Sequence, residues 1–276
     1  MPVAVLHIVA TPIGNLDDIT LRALRVLAEV DVIAAEDTRR TRILLSHHGL
    51  RTPLVALHEH NEEQATPQLV AELKGGKTIA LVSDAGTPLL SDPGYRLVSA
   101  AADAGIIIAA IPGPSAVTAA LSICGLATDR FIFEGFLPQK QSARVGLLAS
   151  FKDEQRTIVL FESSHRIMDS LADMETVLGT GRQAAICREM TKQFETVLRG
   201  TLTDLRHRLE DDPHQRKGEF VIILSGGEAD YPAALKKAME LGRALQEHLS
   251  MSQAARVAAK VCGVSRRELY ARLEQE

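Results

Sequence analysis

Short apolar runs alternate with stretches of helical spacing, and this alternation most constrains how the chain can fold. "VLHIVA", "DVIAAE", "PLVAL", "TIALVS" and "IIIAAI" read as buried strands within residues 1–112. Between them, "DITLRALRVLAEV", "TRRTRILLSHHGL", "EEQATPQLVAELKGG" and "YRLVSAAADAG" carry apolar residues at helical spacing. In the first of these, Ile19, Leu21, Leu24, Val26 and Leu27 approximate one helix face. Glycines in "KGGK" and "DAG" stand where helices stop. Near-continuous apolar strands alternating with helices predict a mostly parallel α/β sheet covered on both faces.

The pattern changes twice. "IPGPSAVTAALSICGL" reads as a connection, with Pro114 in the first turn of a helix, where its missing N–H costs nothing. Beyond it, "RFIFEGF", "RTIVLFES", "AAICRE", "FETVLRG" and "GEFVIILSGG" read as strands, with "SHRIMDSLADMETVLG" and "TLTDLRHRLED" as helices. Two extended runs joined by a short polar stretch in "AAICREMTKQFETVLRGTL" predict a mixed sheet. After "SGGEADYP" no strand pattern remains, and two or three helices are expected. Ser250 precedes one helix, Gly263 separates two, and Ser265 opens the next, an arrangement resembling a helix-turn-helix. The expected organisation is an α/β domain over residues 1–112, a second α/β domain over 113–225, and a helical tail over 226–276.

Composition narrows the class of protein. The 276 residues are 46% apolar and 24% charged, close to soluble globular averages. Aromatics are 4% with no Trp, so the core is expected to be Ala, Leu, Val and Ile. No apolar segment approaches the roughly 20 residues of a membrane span. "MPVAVLHIVATPIGN" reads straight into a strand, which predicts neither signal peptide nor anchor. Cys124, Cys187 and Cys262 are scattered, which predicts a reducing, cytoplasmic setting without a cysteine zinc site. A net charge of −4 does not mark a nucleic-acid binder. Two basic stretches run against it. Residues 36–51 carry four Arg and two His against two acids, and residues 250–272 carry five Lys/Arg against one.

The loops expected at strand ends carry the chemistry. "SDAGTPLLSDPG" leaves the fourth strand with two glycines, two prolines and two aspartates, longer than the ~2–6 residues usual for such a loop. Gly86 lets backbone approach a ligand, Pro88 and Pro93 stiffen the path, and Asp84 and Asp92 cap turns or accept hydrogen bonds from a ligand. "VATPIGNLDD" leaves the first strand and "PGPSA" the fifth. In a parallel sheet these three loops share one edge, where open α/β sheets bind ligands. Neither G-x-G-x-x-G nor G-x-x-x-x-G-K-[ST] occurs, so dinucleotide and P-loop readings lose their usual warrant. A cleft of backbone groups with little fixed positive charge suits a neutral or zwitterionic cofactor.

Taken together, "TPIGNLDDIT", "AEDTRRT", "HEHNE", "SDAGTPLLSDPG", "IPGPSA", "FEGFLP" and "ESSHRI" resemble the tetrapyrrole-methylase superfamily of S-adenosylmethionine-dependent methyltransferases. Within it they are most similar to the branch that 2'-O-methylates a cytidine of 16S ribosomal RNA. The resemblance covers nearly the whole chain. It implies two α/β domains, S-adenosylmethionine between them, no metal, a homodimer, and 16S rRNA or the small ribosomal subunit as substrate. It places the cofactor on Thr11, Pro12, Ile13 and Gly14, on Asp84, Ala85, Gly86, Thr87 and Pro88, and on Pro112, Gly113 and Ser115. From the second domain it adds Phe161, Glu162 and Ser163, with Phe220 and its neighbours.

Methyl transfer to a ribose hydroxyl needs alignment and a proton acceptor. Glu36 and Asp37 end the second strand beside Arg39 and Arg40, so a carboxylate can take the proton while arginines hold phosphates. Asp37 reads equally as the cap of a helix beginning at Thr38. His58, Glu59 and His60 alternate along the chain without a further ligand, so hydrogen bonding to substrate is preferred over a metal site. His165 and Arg166 read either as helix-start residues or as cleft lining. Glu36, Asp37, Arg39, Arg40 and His60 form the expected substrate-side group. Two other readings stay open: a tetrapyrrole-type small-molecule methyltransferase, whose polycarboxylate substrate would also attract the arginines, and a ligand-sensing DNA-binding regulator.

Overall fold

The structure, a computed structural model, describes residues 4–227 and 231–275. The expectations for Met1, Pro2 and Val3, and for the "EAD" of the stretch before the tail, lie outside the described residues. The chain divides into two compact units. One is Met1–Lys152 with Arg156–Ser225, and the other is Asp153–Gln155 with Gly226–Glu276.

The first unit holds two five-stranded sheets. The first sheet comprises β1 (Val5–Val9), β2 (Val32–Ala35), β3 (Leu54–Ala56), β4 (Ile79–Val82) and β5 (Ile107–Ile111). All its pairings are parallel, in the order β3-β2-β4-β1-β5. Helices α1 (Leu21–Glu29), α2 (Thr38–His47), α3 (Glu62–Lys74) and α4 (Tyr95–Asp103) connect its strands. Ala23, Leu27, Leu44 and Leu45 of α1 and α2 pack against Val9, Ile33 and Val82. Leu69, Leu73, Leu97 and Ala101 of α3 and α4 pack against Leu6, Ala34 and Leu81. Strand side chains point to alternate faces, so helices on both sides require apolar residues at successive positions, as in the "IALV" of β4. The face of α1 differs from the expected one. Thr20 caps the helix by accepting from the Ala23 N–H, and the buried line runs through Ile19, Ala23, Leu27 and Val30 at spacings of four and three. Leu21, the first helical residue, is 80% exposed.

The second sheet is mixed, in the order β6-β7-β10-β8-β9. After α5 (Ala116–Ile123) come β6 (Phe131–Phe136), α6 (Gln141–Ser150), β7 (Thr157–Ser163), α7 (Ile167–Leu178), β8 (Gln183–Arg188), β9 (Thr196–Thr201), α8 (Leu202–Asp211) and β10 (Glu219–Leu224). The β6–β7 pair is parallel and the other pairs are antiparallel. Helices α6, α7 and α8 cover one face, and α5 packs on the other against Val159, Ala185 and Val221. Pro114 stands just ahead of α5 rather than in its first turn, because the extended Ser115 takes the N-cap position.

Within the second unit, α9 (Tyr231–Gln246), α10 (Met251–Cys262) and α11 (Arg266–Glu274) enclose their own core of Leu235, Ala238, Ala255, Ala258, Leu269 and Leu273. Ser250 and Gln253 form a capping box at α10, Gly263 ends it at φ +67°, and Ser265 caps α11. No helix among the described residues is long and apolar enough to cross a membrane.

Candidate active site

Parallel pairing puts the ends of β4, β1 and β5 side by side, and their loops bond to one another there. The Thr11 N–H donates to the Gly86 carbonyl at 2.9 Å, and the Gly86 N–H returns a bond of 3.0 Å. The Thr11 hydroxyl donates to the Ser83 carbonyl at 3.1 Å, and the Thr87 hydroxyl to the Pro114 carbonyl at 3.1 Å. Gly86 has φ +82°, a conformation that L side chains resist, so this junction requires glycine.

Over this junction lies a cavity of about 470 Å³, within the range of small-molecule sites. The expected residues Ile13, Asp84, Ala85, Gly86, Thr87 and Ser115 line one side. Phe161, Glu162, Ser163 and Phe220 line it from the second sheet. Thr11 and Pro12 line an adjoining hollow of about 200 Å³ that shares Arg40 and Asp84 with the main cavity. Gly113 lines a third, more open hollow. Gly14, Pro88 and Pro112 line none of these three, but Gly14 abuts residues that do. A Cβ there would lie 2.6 Å from Lys192 Cγ and 2.8 Å from the Met190 carbonyl oxygen.

The substrate-side group divides. Glu36 and Arg40 line the main cavity, whereas Asp37, Arg39 and His60 do not. Asp37 is the N-cap of α2, accepting from the Arg39 N–H at 2.8 Å and pairing with its guanidinium at 2.7 Å. That pairing holds its carboxyl below the usual carboxylate range. His60 is exposed, with its ring centroid 6.1 Å from that of His58. In "HEHNE" the working side chains are the other two. Asn61 accepts from the His58 N–H at 2.7 Å and donates to the Ala56 carbonyl at 3.0 Å. Buried Glu62 accepts from the N–H groups of Gly94 and Arg96 at 3.1 and 2.7 Å. It thereby supplies the anion that the N-terminus of α4 lacks, since Gly94 has no side chain. Glu62→Ala is expected to cost about 1–2 kcal/mol, the scale of a lost cap, read as a drop in urea midpoint. An unchanged midpoint would show the cap to be dispensable.

Carboxylates crowd the cavity rim. The Asp84 N–H donates to Glu36 at 3.2 Å, the Asp37 N–H donates to Asp84 at 2.9 Å, and Arg40 faces Asp84 at 3.4 Å. Burial raises the Glu36 carboxyl above its ordinary range, against the hydrogen bond from the Asp84 N–H, which favours the charged form. Asp92 joins the lining, pushed up to about 6 mainly by burial and further by Glu36 and Asp84. Across the cavity, each of the carboxylates Glu162, Glu189 and Glu219 is held by a cation. Glu162 is held by Arg166 at 2.9 Å and by the Ser170 hydroxyl at 2.6 Å, and Lys192 bridges Glu189 and Glu219 at 2.9 and 2.8 Å. Arg166, at the N-cap of α7, also holds the Leu137 carbonyl at 2.8 Å, which ties "ESSHR" to "FEGFLP". Among the described residues Glu36 and Asp92 have no cation within ion-pair distance, so the wall carries surplus negative charge.

The loop that delivers Asp92 is strained. Leu89 and Ser91 both occupy the left-handed region, at φ 74° and 69°. Ser91 is seated against Gly135, where a Cβ would lie 2.6 Å from its hydroxyl oxygen. Gly135 itself sits at φ +66°, beside the register shift between Phe133 and Gly135. Ser91, Phe136, Met190 and Lys192 were not among the expected site residues, and Asp92 was read only as a turn cap or a hydrogen-bond acceptor for a ligand. Position in the chain hides the first four: one lies in the far half of a loop, and three come from the second sheet and its turns.

A parallel sheet whose strand-end loops close on a second, mixed sheet over one deep cavity defines a two-sheet methylase architecture. The profile described as Tetrapyrrole (Corrin/Porphyrin) Methylases matches residues 5–206, and that of the RsmI C-terminal HTH domain matches residues 232–276. A ribosomal RNA small subunit methyltransferase I from Xylella fastidiosa is 51% identical, over 96% of this chain and 97% of the relative. Its namesake from Haemophilus influenzae is 48% identical, over 96% and 95%. In fold, the chain is similar to uroporphyrin-III-C-methyltransferase from Thermus thermophilus, with a TM-score of 0.56, 21% identity, and coverage of 80% and 94%. The chain belongs to the tetrapyrrole methylase family, in its ribosomal RNA small subunit methyltransferase I branch. It is an S-adenosylmethionine-dependent methyltransferase.

Proposed function

We propose that this chain transfers a methyl group from S-adenosylmethionine to the 2'-hydroxyl of a cytidine in 16S rRNA, in the cytoplasm, as a homodimer acting on the small ribosomal subunit. The observation that carries the site assignment is the single cavity bounded by the β1, β4 and β5 loops and by the second sheet. Its surplus of negative charge, from Glu36 and Asp92, suits a donor whose sulfur is cationic. Ile13, Ala85, Gly86, Thr87 and Ser115 would hold the donor on the first-sheet side, and Phe161 and Phe220 on the other. Bound there, S-adenosylmethionine supplies an electrophilic methyl group on a sulfonium.

The chain's own task is to orient the hydroxyl, exclude water and take one proton. Arg39, 86% exposed at the start of α2, and Arg40 beside Asp84 supply phosphate contacts at the rim. We propose the same for exposed Arg256, Lys260 and Arg267 of the helical unit. Three domains, at 1–112, 113–225 and 226–276, accord with a first sheet ending at Ile111 and a compact unit ending at Ser225. Exposed Ile107 on the edge strand β5 and Phe131 on the edge strand β6 are consistent with a second copy covering apolar surface.

Small subunits from a strain lacking this protein, incubated with the purified chain and labelled donor, should acquire label on one cytidine ribose of 16S rRNA. Label on a base, on protein or on a tetrapyrrole instead would refute the assignment. Replacing Arg256, Lys260 and Arg267 together by alanine should weaken RNA binding and flatten the log–log salt dependence by roughly 0.7–0.9 per lost phosphate contact. Filter binding over a salt series checks this, and a slope equal to wild type removes the helical unit from the RNA interface.

A further inference from the structure

We infer that the smaller hollow beside the main cavity, between the turn after β1 and helix α2, is the pocket for the acceptor cytosine, with Asp84 reading its exocyclic amine. This assignment rests on the ribose-methylation reading above and names the groups that choose the base.

The hollow measures about 200 Å³, roughly the share of seven waters in the liquid, which is room for a single-ring base. Its sides are apolar, from Pro12 and Leu16 after β1 and from Ile43 and Leu44 of α2. Leu44 is buried, whereas Ile43 is 64% exposed, so an aliphatic face stands uncovered at the mouth. The walls are tied together. The Nε2–H of His48, the C-cap of α2, donates to the Leu16 carbonyl at 3.2 Å, and the Thr11 hydroxyl donates to the Ser83 carbonyl at 3.1 Å. A ring entering this slot removes apolar surface from water without having to order the walls first.

Arg40 and Asp84 line this hollow and the main cavity alike, and so mark where the two spaces meet. That is the relation a nucleotide needs. The base hangs from C1' of the ribose and the acceptor hydroxyl from the neighbouring C2'. A base held in the hollow therefore leaves its 2'-oxygen beside the junction, next to the space assigned to the donor.

The polar end of the hollow selects among bases. The Thr11 and Thr41 hydroxyls spend their protons on the Ser83 and Asp37 carbonyls. Asp84 is fixed in place, because its Oδ1 accepts from the Asp37 N–H at 2.9 Å and its own N–H donates to Glu36 at 3.2 Å. Its Oδ2 faces Arg40 Nη1 at 3.4 Å, longer than an ordinary N–H···O bond, and keeps acceptor capacity. The guanidinium carries five N–H donors, so those not turned to Asp84 remain for a ring and for a phosphate. An acceptor beside a donor complements the pairing edge of cytosine, whose N4 amine donates and whose N3 and O2 accept. Uracil would set its O4 against the carboxylate, leaving two acceptors facing each other.

The test is single-turnover methylation, at saturating donor, of small subunits carrying either cytidine or uridine at the position the wild-type chain labels. The wild-type chain should methylate the cytidine subunit roughly tenfold to a hundredfold faster, the worth of one good base contact. D84N keeps an oxygen for the Asp37 N–H and offers an amide N–H to O4. It should bring the two rates within about threefold of each other, chiefly by slowing the cytidine subunit. Each ratio compares two subunits under one donor-saturated enzyme, so a change in donor affinity cancels from it. I43D, at an exposed position, should raise the subunit concentration for half-saturation about fivefold and leave donor affinity by calorimetry unchanged. Equal wild-type rates on cytidine and uridine overturn the base reading, as does a D84N preference equal to wild type. Should D84N fail to fold or to turn over, I43D decides: an unchanged half-saturation removes the hollow from the acceptor site. A wild-type chain that transfers no methyl to the cytidine subunit overturns the ribose-methylation reading itself, an outcome distinct from transfer without base preference.

Discussion

Asp173→Ala is expected to destabilise the two-sheet unit by about 3–5 kcal/mol, as for other buried ion pairs broken on one side. Asp173 on α7 receives the Nε and Nη2 of Arg144 on α6, each at 2.7 Å, and the amide of Gln141 at 2.9 Å. Both partners are buried. Removing the carboxylate strands a guanidinium away from water, with only the long contacts of Nη1 to the Pro138 and Gln139 carbonyls, at 3.5 and 3.4 Å, to compensate. The double variant Arg144→Met with Asp173→Leu should recover most of the loss, because it removes both charges and keeps the volume. Urea unfolding of the three proteins checks the cycle. A single-variant loss under about 1 kcal/mol would mean the pair behaves as an exposed one. Donor binding should weaken in parallel, because Arg144 steadies the segment that follows Phe136 of the cavity wall.

The second large effect is expected at Gly14. An alanine methyl there must displace the Met190 carbonyl, 2.8 Å away, as well as the more yielding Lys192 side chain. Overpacking of this kind costs about 1–3 kcal/mol. Met190 and Lys192 line the cavity, so moving their turn should weaken donor binding roughly tenfold or more, the equivalent of about 1.4 kcal/mol. Gly146→Ala is the matched control. It lies exposed in α6 with nothing within 4 Å of an added Cβ, and should be neutral or stabilising by about 0.5–1 kcal/mol. Calorimetric titration of donor into both variants separates the two. Equal affinities would mean that the turn after β8 can shift without disturbing the site.

These two positions also show where sequence reading reached and where it stopped. Strands covered on both faces announce themselves by unbroken apolar runs, and the three loops were legible as glycine- and proline-bearing turns after such runs. The β4-β1-β5 adjacency that joins those loops was not legible, because strand order depends on tertiary pairing. Helix α6 escaped for a different reason. Its "QSARVGLLAS" contains Arg144 as a buried residue, so hydropathy periodicity breaks where an ion pair substitutes for an apolar contact. The acidic motifs divided in the same way. "AEDTRR" and "HEHNE" look like chemistry because they concentrate charge, yet Asp37 and Glu62 spend that charge on helix N-termini. Only coordinates distinguish a carboxylate spent on a helix N-terminus from one that faces a cavity, as Glu36 and Asp92 do.

The seating of Gly14 against Met190 and of Ser91 against Gly135 has a further consequence for ligand choice. Each is a place where one sheet's loop meets the other sheet's polypeptide with less than a carbon's clearance. A hollow braced at such points works as a gauge more than as a glove. Its span is set by peptide planes, which shift together or not at all, so oversized guests meet a threshold in place of a gradual loss of fit.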